Sequence, residues 1–154
     1  MRNLELPGRS PVHAPNAMAC TSNPLASMAA IDVLKGGGNA VDAAISACAV
    51  LCVVEPESTG IGGDCFALIA PAGGRELTSS DGAGRAPAAA AAEWYTERGI
   101  TEIERATPHA VTIPGAIDAW CRLLEDHGTK GLDELLAPAV RLARGGYPIH
   151  SRVA

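Results

Sequence analysis

The sequence predicts an α/β fold that is mostly helical, and two stretches carry this prediction. The first is an apolar run between two groups of glycines, Ala40 to Val54, whose only polar side chains are Asp42 and Ser46. The second is a short apolar run, Phe66 to Ala70, followed by a Pro-Ala-Gly-Gly turn and a second extended stretch. A long apolar run indicates a buried helix, whereas two short runs around such a turn are typical of a β-hairpin.

Residues 1 to 17 are predicted to form an extended N-terminal arm. They hold three prolines and show no apolar periodicity. They also lack the continuous apolar core that a secretory signal requires. Residues 18 to 154 are predicted to form part of a single domain, which begins with a short strand over Met18 to Thr21.

Two consecutive helices are predicted from their end signals. The first should begin at Pro24, because proline suits the first helical position, with Ser22 or Asn23 as its cap. Its exit should be a left-handed residue at Gly36. The second should begin after Asn39, whose side-chain oxygen can accept a hydrogen bond from a free amide of the first turn.

The second of these helices is predicted to be buried on all sides. An amphipathic surface helix would show a polar face, and this one is apolar almost all round. It is too short to span a bilayer, which needs about 20 apolar residues. Cys48 and Cys52 should therefore act as small apolar core residues, and Ala44→Asp should be costly because it would bury an unpaired charge.

Further elements are predicted along the rest of the chain. Arg75 to Ser80 should return the hairpin, residues 81 to 87 should form a glycine-rich loop, and Ala110 to Ile113 should form a short strand. Three helices are predicted from propensity and apolar spacing: Ala88–Arg98, Ala116–His127 and Leu132–Arg144. Pro138 lies within the last of them and should kink it or mark its true start.

Composition and charge exclude several classes of function. Twelve basic against seventeen acidic residues give a net charge of −5, which argues against a nucleic-acid binder. No segment predicts membrane association. Five cysteines are an odd number, which favours a reducing, cytoplasmic location. Neither cysteines nor histidines occur at the spacing of metal ligands, so no metal and no cofactor are predicted.

The glycine loops at the two ends of the Ala40–Val54 run do not predict a nucleotide site. Gly60-Ile61-Gly62-Gly63 lacks the last glycine of a dinucleotide fingerprint and precedes a strand instead of a helix. The loop at Gly36 to Gly38 and this second loop are instead predicted to let backbone segments approach closely.

The same region carries a resemblance to a known family. The segments GGGNAVDAA (36–44) and VVEPESTGIGGDCF (53–66) strongly resemble the N-terminal part of the gamma-glutamyltransferase family. The resemblance runs from about Ala19 to the last residue, and further matches follow in the family's order: Asn23–Ser27, Arg85–Pro87, Ile113–Gly115 and Pro138–Ala143. It implies a four-layer αββα fold of the N-terminal-nucleophile hydrolase type, of which this chain is the N-terminal portion of the large subunit.

The resemblance singles out Arg85 as the candidate substrate-binding residue. In the family, an arginine before an Ala-Pro pair clamps the α-carboxylate of the substrate, and a guanidinium can grip both carboxylate oxygens. That arginine usually lies two positions earlier, at Ala83 in this chain. The Gly-Ala-Gly-Arg-Ala-Pro form resembles the branch that contains cephalosporin-acylase-like proteins and oxamate amidohydrolase. The alternative is that Arg85 is a structural residue paired with a local carboxylate.

The resemblance also implies that the nucleophile lies outside this chain. Family members cleave themselves before a threonine that uses its own amine as base and its hydroxyl as nucleophile. No threonine of this chain lies in a matching context, so no catalytic residue is predicted and the isolated chain is expected to be inactive. The implied partners are a γ-glutamyl or related amide substrate and a threonine-bearing subunit. The alternative is a truncated, non-catalytic remnant that serves only as a structural or partner subunit.

Overall fold

Helices dominate the computed structural model, which describes residues 12 to 74, 76 to 149 and 151. Within this part of the chain lie five α-helices, one antiparallel pair of strands and a 3₁₀ turn at Pro108–Ala110. The main elements in chain order are α1 (Pro24–Lys35), α2 (Ala40–Val54), β1 (Cys65–Ile69), β2 (Thr78–Gly82), α3 (Ala92–Thr96), α4 (Ala116–His127) and α5 (Leu132–Gly145).

Helix α1 begins where the sequence predicts. Asn23 is its cap and accepts a 3.0 Å hydrogen bond from the Leu25 amide, and Pro24 occupies the first helical position. The predicted exit at Gly36 is wrong by one residue, because Gly36 has a φ of −77° and Gly37 has the left-handed φ of 85°. The Gly36 amide still donates to the Asp32 carbonyl at 2.9 Å, so the last helical hydrogen bond extends to it.

Helix α2 has the predicted bounds and forms the centre of the core. Its cap is reciprocal: the Asn39 side chain accepts from the amides of Val41 and Asp42, and the Asp42 side chain accepts from the Asn39 amide. α2 packs against α1 and α5 and also touches α4. Its neighbours contribute buried apolar residues to the core: Ala26, Ala29, Ala30, Trp120, Leu123, Leu135 and Ala139.

One face of α2 is exposed, so the prediction that this helix is buried on all sides is wrong for that face. Ala40, Ala44 and Cys48 are exposed, and they recur every four residues, which places them in one stripe along the helix. Among the described residues, the side chains of this stripe stay exposed. Ala44→Asp would therefore not bury a charge in this structure, and Cys48 is not a core residue.

Strands β1 and β2 form the predicted hairpin with shifted bounds, since β1 runs from Cys65 to Ile69 instead of from Phe66 to Ala70. Cys65 pairs with Gly82 at one end, and Ile69 pairs with Thr78 at the other. The alternation of side chains places Phe66 and Leu68 on the outer face, where they are 69% and 77% exposed. The return strand starts at Thr78 and reaches Gly82, so the predicted end at Ser80 is too early; position 75 lies outside the described residues.

Three other predicted elements differ in the structure. Met18–Thr21 and Ala110–Ile113 form no strand, since no described strand lies beside either of them to pair with. The helix predicted from Ala88 shrinks to α3, because alanine propensity alone stabilises so short a helix only marginally. Pro138 lies inside α5, which starts at Leu132 as predicted, so this proline does not mark the start of the helix. The N-terminal arm prediction falls largely outside the described residues, and residues 12 to 21 contain no helix or strand.

Candidate functional site

Three chain segments meet beside the hairpin and present Arg85. The Gly63 carbonyl accepts from the amides of Gly115 and Ala116 at 3.1 and 3.0 Å. The Ile113 amide donates to the Arg85 carbonyl at 3.4 Å. We call the three segments, residues 63–65, 82–85 and 112–116, the glycine junction. Because these hydrogen bonds are between backbones, the junction is a fixed frame from which side chains project.

Three glycines let these backbones come together. A Cβ on Gly84 would overlap the Ile113 carbonyl oxygen, and a Cβ on Gly115 would overlap the Gly82 carbonyl oxygen. At Gly82 itself, an added Cβ would collide with the Ala119 side chain. Each of these positions therefore requires glycine for lack of space. In the sequence, the signal for this close packing lies in Gly82 and Gly84 before Arg85 and in Gly115 after Ile113-Pro114.

The close approach predicted at the two glycine loops is found at the first loop and at the last glycine of the second, Gly63, whose carbonyl accepts from the amides of Gly115 and Ala116. At the first loop, a Cβ on Gly38 would lie 2.6 Å from Val33 Cγ1 and 3.1 Å from the Lys130 side chain. Elsewhere in the second loop, no atom beyond the neighbouring residues lies within 4 Å of a Cβ built on Gly60 or Gly62, so the prediction fails at these two glycines. Close packing begins only where that loop enters the junction.

Arg85 is exposed at the junction. Across residues 12–74 and 76–149, its guanidinium forms no ion pair and no hydrogen bond. Two carboxylates that contact this loop bind backbone amides: Asp81 accepts from the Ala83 amide at 2.9 Å, and Asp64 accepts from the Gly84 amide at 3.1 Å. Among the described residues, no carboxylate pairs with Arg85 as a purely structural arginine would require. The guanidinium is therefore accessible to an anionic ligand.

Asp42 forms a second polar cluster that holds the fold together. It is fully buried, and its carboxylate accepts from the Thr129 hydroxyl at 2.5 Å and from the amides of Thr129 and Lys130 at 3.0 and 3.3 Å. Burial alone would raise the pKa of Asp42, but these hydrogen bonds, together with the one from the Asn39 amide, lower it below its ordinary value. The Asn39 side-chain amide also donates to the His127 carbonyl. This cluster thus ties the start of α2 to the connection between α4 and α5.

The described residues show neither a metal cluster nor a membrane span. Over this part of the chain, no three His, Cys, Asp or Glu side chains lie close enough together to hold a metal ion. Likewise, none of the described helices has both the length and the apolar character that crossing a membrane requires.

Comparison with known proteins points to one family. A family model described as gamma-glutamyltranspeptidase matches residues 26 to 154. The glutathione hydrolase proenzyme of Bacillus subtilis (strain 168) is 37% identical over 143 residues, which cover 90% of this chain and 24% of that protein. The chain therefore spans about a quarter of the length of this curated relative.

Solved structures show the same likeness. Gamma-glutamyltranspeptidase from Helicobacter pylori has a TM-score of 0.81 and 34% identity, covering 93% of this chain and 42% of that chain. Cephalosporin acylase from Bacillus halodurans has a TM-score of 0.77 and 38% identity, covering 94% of this chain and 29% of that chain. These likenesses confirm the predicted fold class, which in the described residues is a mostly helical α/β arrangement.

Proposed function

The chain belongs to the gamma-glutamyltranspeptidase family, and we propose that it is the N-terminal portion of the large subunit of a hydrolase or acyltransferase of that family. The proposed reaction is cleavage or transfer of a γ-glutamyl or related acyl group from an amide. The proposed nucleophile is an N-terminal threonine in a segment beyond residue 154, released when a longer precursor is cleaved. The word proenzyme in the relative's name supports a precursor, and the one-quarter coverage supports a longer protein.

Accessibility of Arg85 at the glycine junction is the observation that carries the proposal. The residue projects from a backbone frame, and its guanidinium is free among the described residues. A guanidinium presents paired N–H donors that match the two oxygens of a carboxylate. We therefore assign to Arg85 the binding of a carboxylate on the acyl part of the substrate.

Arg85→Ala in the full-length protein tests this assignment. A charge-assisted hydrogen bond contributes about 1.5–3 kcal/mol, so the Michaelis constant for a carboxylate-bearing amide should rise about tenfold to a hundredfold. The matched control is Arg122→Ala, since Arg122 is an exposed arginine already paired with Asp118 on α4. This control should leave the Michaelis constant unchanged. Equal constants for Arg85→Ala and the parent would contradict the assignment.

The proposal has two versions, which differ in whether the enzyme prefers a simple dicarboxylic monoamide or a γ-glutamyl amide as substrate. Because Arg85 lies two positions after the place where the family's clamp usually occurs, we expect a simple dicarboxylic monoamide such as oxamate to be preferred over a γ-glutamyl amide. Both substrates should be assayed with the parent and with Arg85→Ala. A preference for the γ-glutamyl amide that disappears with Arg85 would instead show that the loop serves glutamyl recognition.

The isolated chain of 154 residues should have no activity, because the proposed nucleophile lies elsewhere. A chromogenic γ-glutamyl anilide incubated with the purified chain should give no product above a buffer blank. Turnover that persists after a second affinity purification would contradict the proposed position of the nucleophile.

A threonine-bearing subunit is the proposed partner, and the exposed apolar surface supports it. A cavity of about 180 Å³ lies between α2 and β1, and its lining includes Ala40, Ala44 and Leu68. The alternative of a non-catalytic partner subunit would use the same surface. The downstream reading frame distinguishes the two: a threonine-led segment supports the enzyme, and a stop codon directly after Ala154 supports the remnant.

A cytoplasmic location is also proposed. It is supported by the five cysteines, all of which are free thiols. Fractionation of the cells that make the protein tests it, and recovery of the protein outside the cytoplasm would contradict it.

A further inference from the structure

Asp64 connects all three segments of the glycine junction, and we propose that it is the positioning residue for Arg85. This inference rests on the proposed role of Arg85 in binding the substrate carboxylate. Asp64 immediately precedes β1, and a single oxygen, Oδ1, makes both of its contacts. It accepts from the Thr112 hydroxyl at 2.8 Å and from the Gly84 amide at 3.1 Å. One carboxylate thus joins segments that are 20 and 48 residues away in sequence.

The contact with Gly84 matters because Gly84 directly precedes Arg85. At the other end of this dipeptide, the Arg85 carbonyl accepts from the Ile113 amide. The dipeptide is therefore anchored at both ends, by Asp64 at its first amide and by Ile113 at its last carbonyl. Because peptide units are planar, anchoring both ends of the dipeptide restricts the direction of the Cα–Cβ bond of Arg85. Asp64 sets one of those ends.

Asp64 holds the loop through the backbone and leaves the guanidinium free. An ion pair between Asp64 and Arg85 would compete with a substrate carboxylate, and the structure shows no such pair among the described residues. Asp81 has a separate task, since its carboxylate accepts from the Ala83 amide. Two carboxylates thus satisfy two successive amides, and only that of Asp64 reaches across to another segment.

Amide hydrogen exchange in the purified chain tests the anchor without any need for activity. In Asp64→Ala, exchange at the Gly84 amide should accelerate about tenfold, which corresponds to the loss of one hydrogen bond. Asp64→Asn keeps an acceptor oxygen and should stay within about twofold of the parent. Asp81→Ala is the matched control, and it should accelerate exchange at Ala83 but not at Gly84.

The Gly115 amide provides an internal reference, because it bonds to the Gly63 carbonyl and not to Asp64. Unchanged exchange at Gly84 in Asp64→Ala would overturn the inference. Equal acceleration at Gly84 and Gly115 would overturn it too, since Asp64 would then support the whole junction and not the position of Arg85.

A double-mutant cycle in the full-length protein tests the link to substrate. Asp64→Ala should raise the Michaelis constant for a carboxylate-bearing amide about tenfold in the parent, and should have no further effect in Arg85→Ala. Asp64→Asn should restore most of the affinity. The same rise in both backgrounds would overturn the inference. An Arg85→Ala variant that binds substrate as the parent does would instead refute the proposed role of Arg85, while the exchange experiment would still decide whether Asp64 anchors the loop.

Discussion

At the residue scale, Asp42 is a buried carboxylate whose hydrogen bonds come from two places in the chain. Its partners are its own helix cap, Asn39, and the two residues Thr129 and Lys130. Removing one partner of such a cluster leaves buried donors without an acceptor, which costs more than the bond itself contributes. Asp42→Ala should therefore lower the free energy of unfolding by about 2–4 kcal/mol, measured by urea denaturation. Asp118→Ala, which removes an exposed carboxylate from α4, is the control and should change it by less than about 0.5 kcal/mol.

The pH dependence of this effect follows from the lowered pKa of Asp42. A carboxyl whose folded-state pKa lies below its ordinary value of 3.8 stabilises the fold at pH values above 3.8. That stabilisation is lost as the pH falls through the folded-state pKa. The difference in unfolding free energy between the parent and Asp42→Asn should thus be constant from pH 7 to pH 5 and shrink below pH 3.8. A difference that grows on acidification would contradict the charged, hydrogen-bonded state of Asp42.

Ser46 is the opposite case, a buried hydroxyl with no hydrogen-bond partner in the described structure. It lies in the middle of α2 and is fully buried. A buried polar group without a partner is unfavourable, and alanine is the better helix former. Ser46→Ala should therefore leave the free energy of unfolding unchanged or raise it by up to about 1 kcal/mol. The thermal midpoint should accordingly stay the same or rise. A clear fall in the midpoint would show that the hydroxyl has a partner.

Sequence patterns were sufficient at this scale for contacts that are local. The caps at Asn23 and Asn39 could be predicted because a capping side chain bonds to amides two or three residues away. The link from Asp42 to Thr129 could not be predicted, because no local pattern reveals which loop will lie beside a helix end. The same holds for the bond from Asp64 to Thr112.

At the scale of elements, alanine substitutions of glycines test how closely the segments of the glycine junction approach each other. Gly84→Ala would place a methyl group against the Ile113 carbonyl, so the segments must move apart. We expect a loss of about 2–3 kcal/mol of stability, measured by thermal denaturation. Gly62→Ala is the matched control, since no described atom lies near its Cβ position, and it should be close to neutral. Equal effects at both positions would contradict the close approach at Gly84.

The long helices and the hairpin could be predicted, whereas the short helix α3 could not be predicted with its bounds. Helices α1, α2, α4 and α5 combine end signals with at least three turns of apolar residues, and these two kinds of signal agree. The alanine run before α3 has propensity alone, and α3 is correspondingly short. There, the rings of Trp94 and Tyr95 pack against His109, with ring centroids 5.6 and 5.4 Å apart, so aromatic packing joins this short helix to the 3₁₀ turn at Pro108–Ala110.

At the scale of the whole molecule, two neighbouring alanines of α2 differ in burial, because only the second of them lies on the exposed stripe. Ala43 is 4% exposed and faces the core, whereas Ala44 is exposed on the stripe. Ala43→Asp should cost several kcal/mol because it buries an unpaired charge, whereas Ala44→Asp should change stability by less than about 0.5 kcal/mol. Thermal denaturation of the two purified variants compares them directly. If Ala44→Asp is as damaging as Ala43→Asp, the stripe is covered in solution.

The stripe also explains why the predicted complete burial of α2 was wrong. An apolar sequence indicates that a helix face is to be covered, but not by which segment. In α2 the faces toward α1 and α5 are covered within the chain, and the stripe through Ala44 is not. The family, by contrast, could be predicted from the motifs around α2, and the comparisons confirmed it. The role of Arg85 stays a prediction, since motif and accessibility alone do not identify a substrate.

The bond between Asp42 and Thr129 has a consequence for the order in which the chain folds. The two residues are 87 positions apart, so the loop that this contact closes contains more than half of the chain. Closing such a loop costs more conformational entropy than forming a local contact, and contacts of this range slow folding. During synthesis, α1 and α2 leave the ribosome long before Thr129 does. Until then the Asp42 carboxylate has only water and its own cap as partners, and the start of α2 gains its final anchor only when the connection between α4 and α5 arrives.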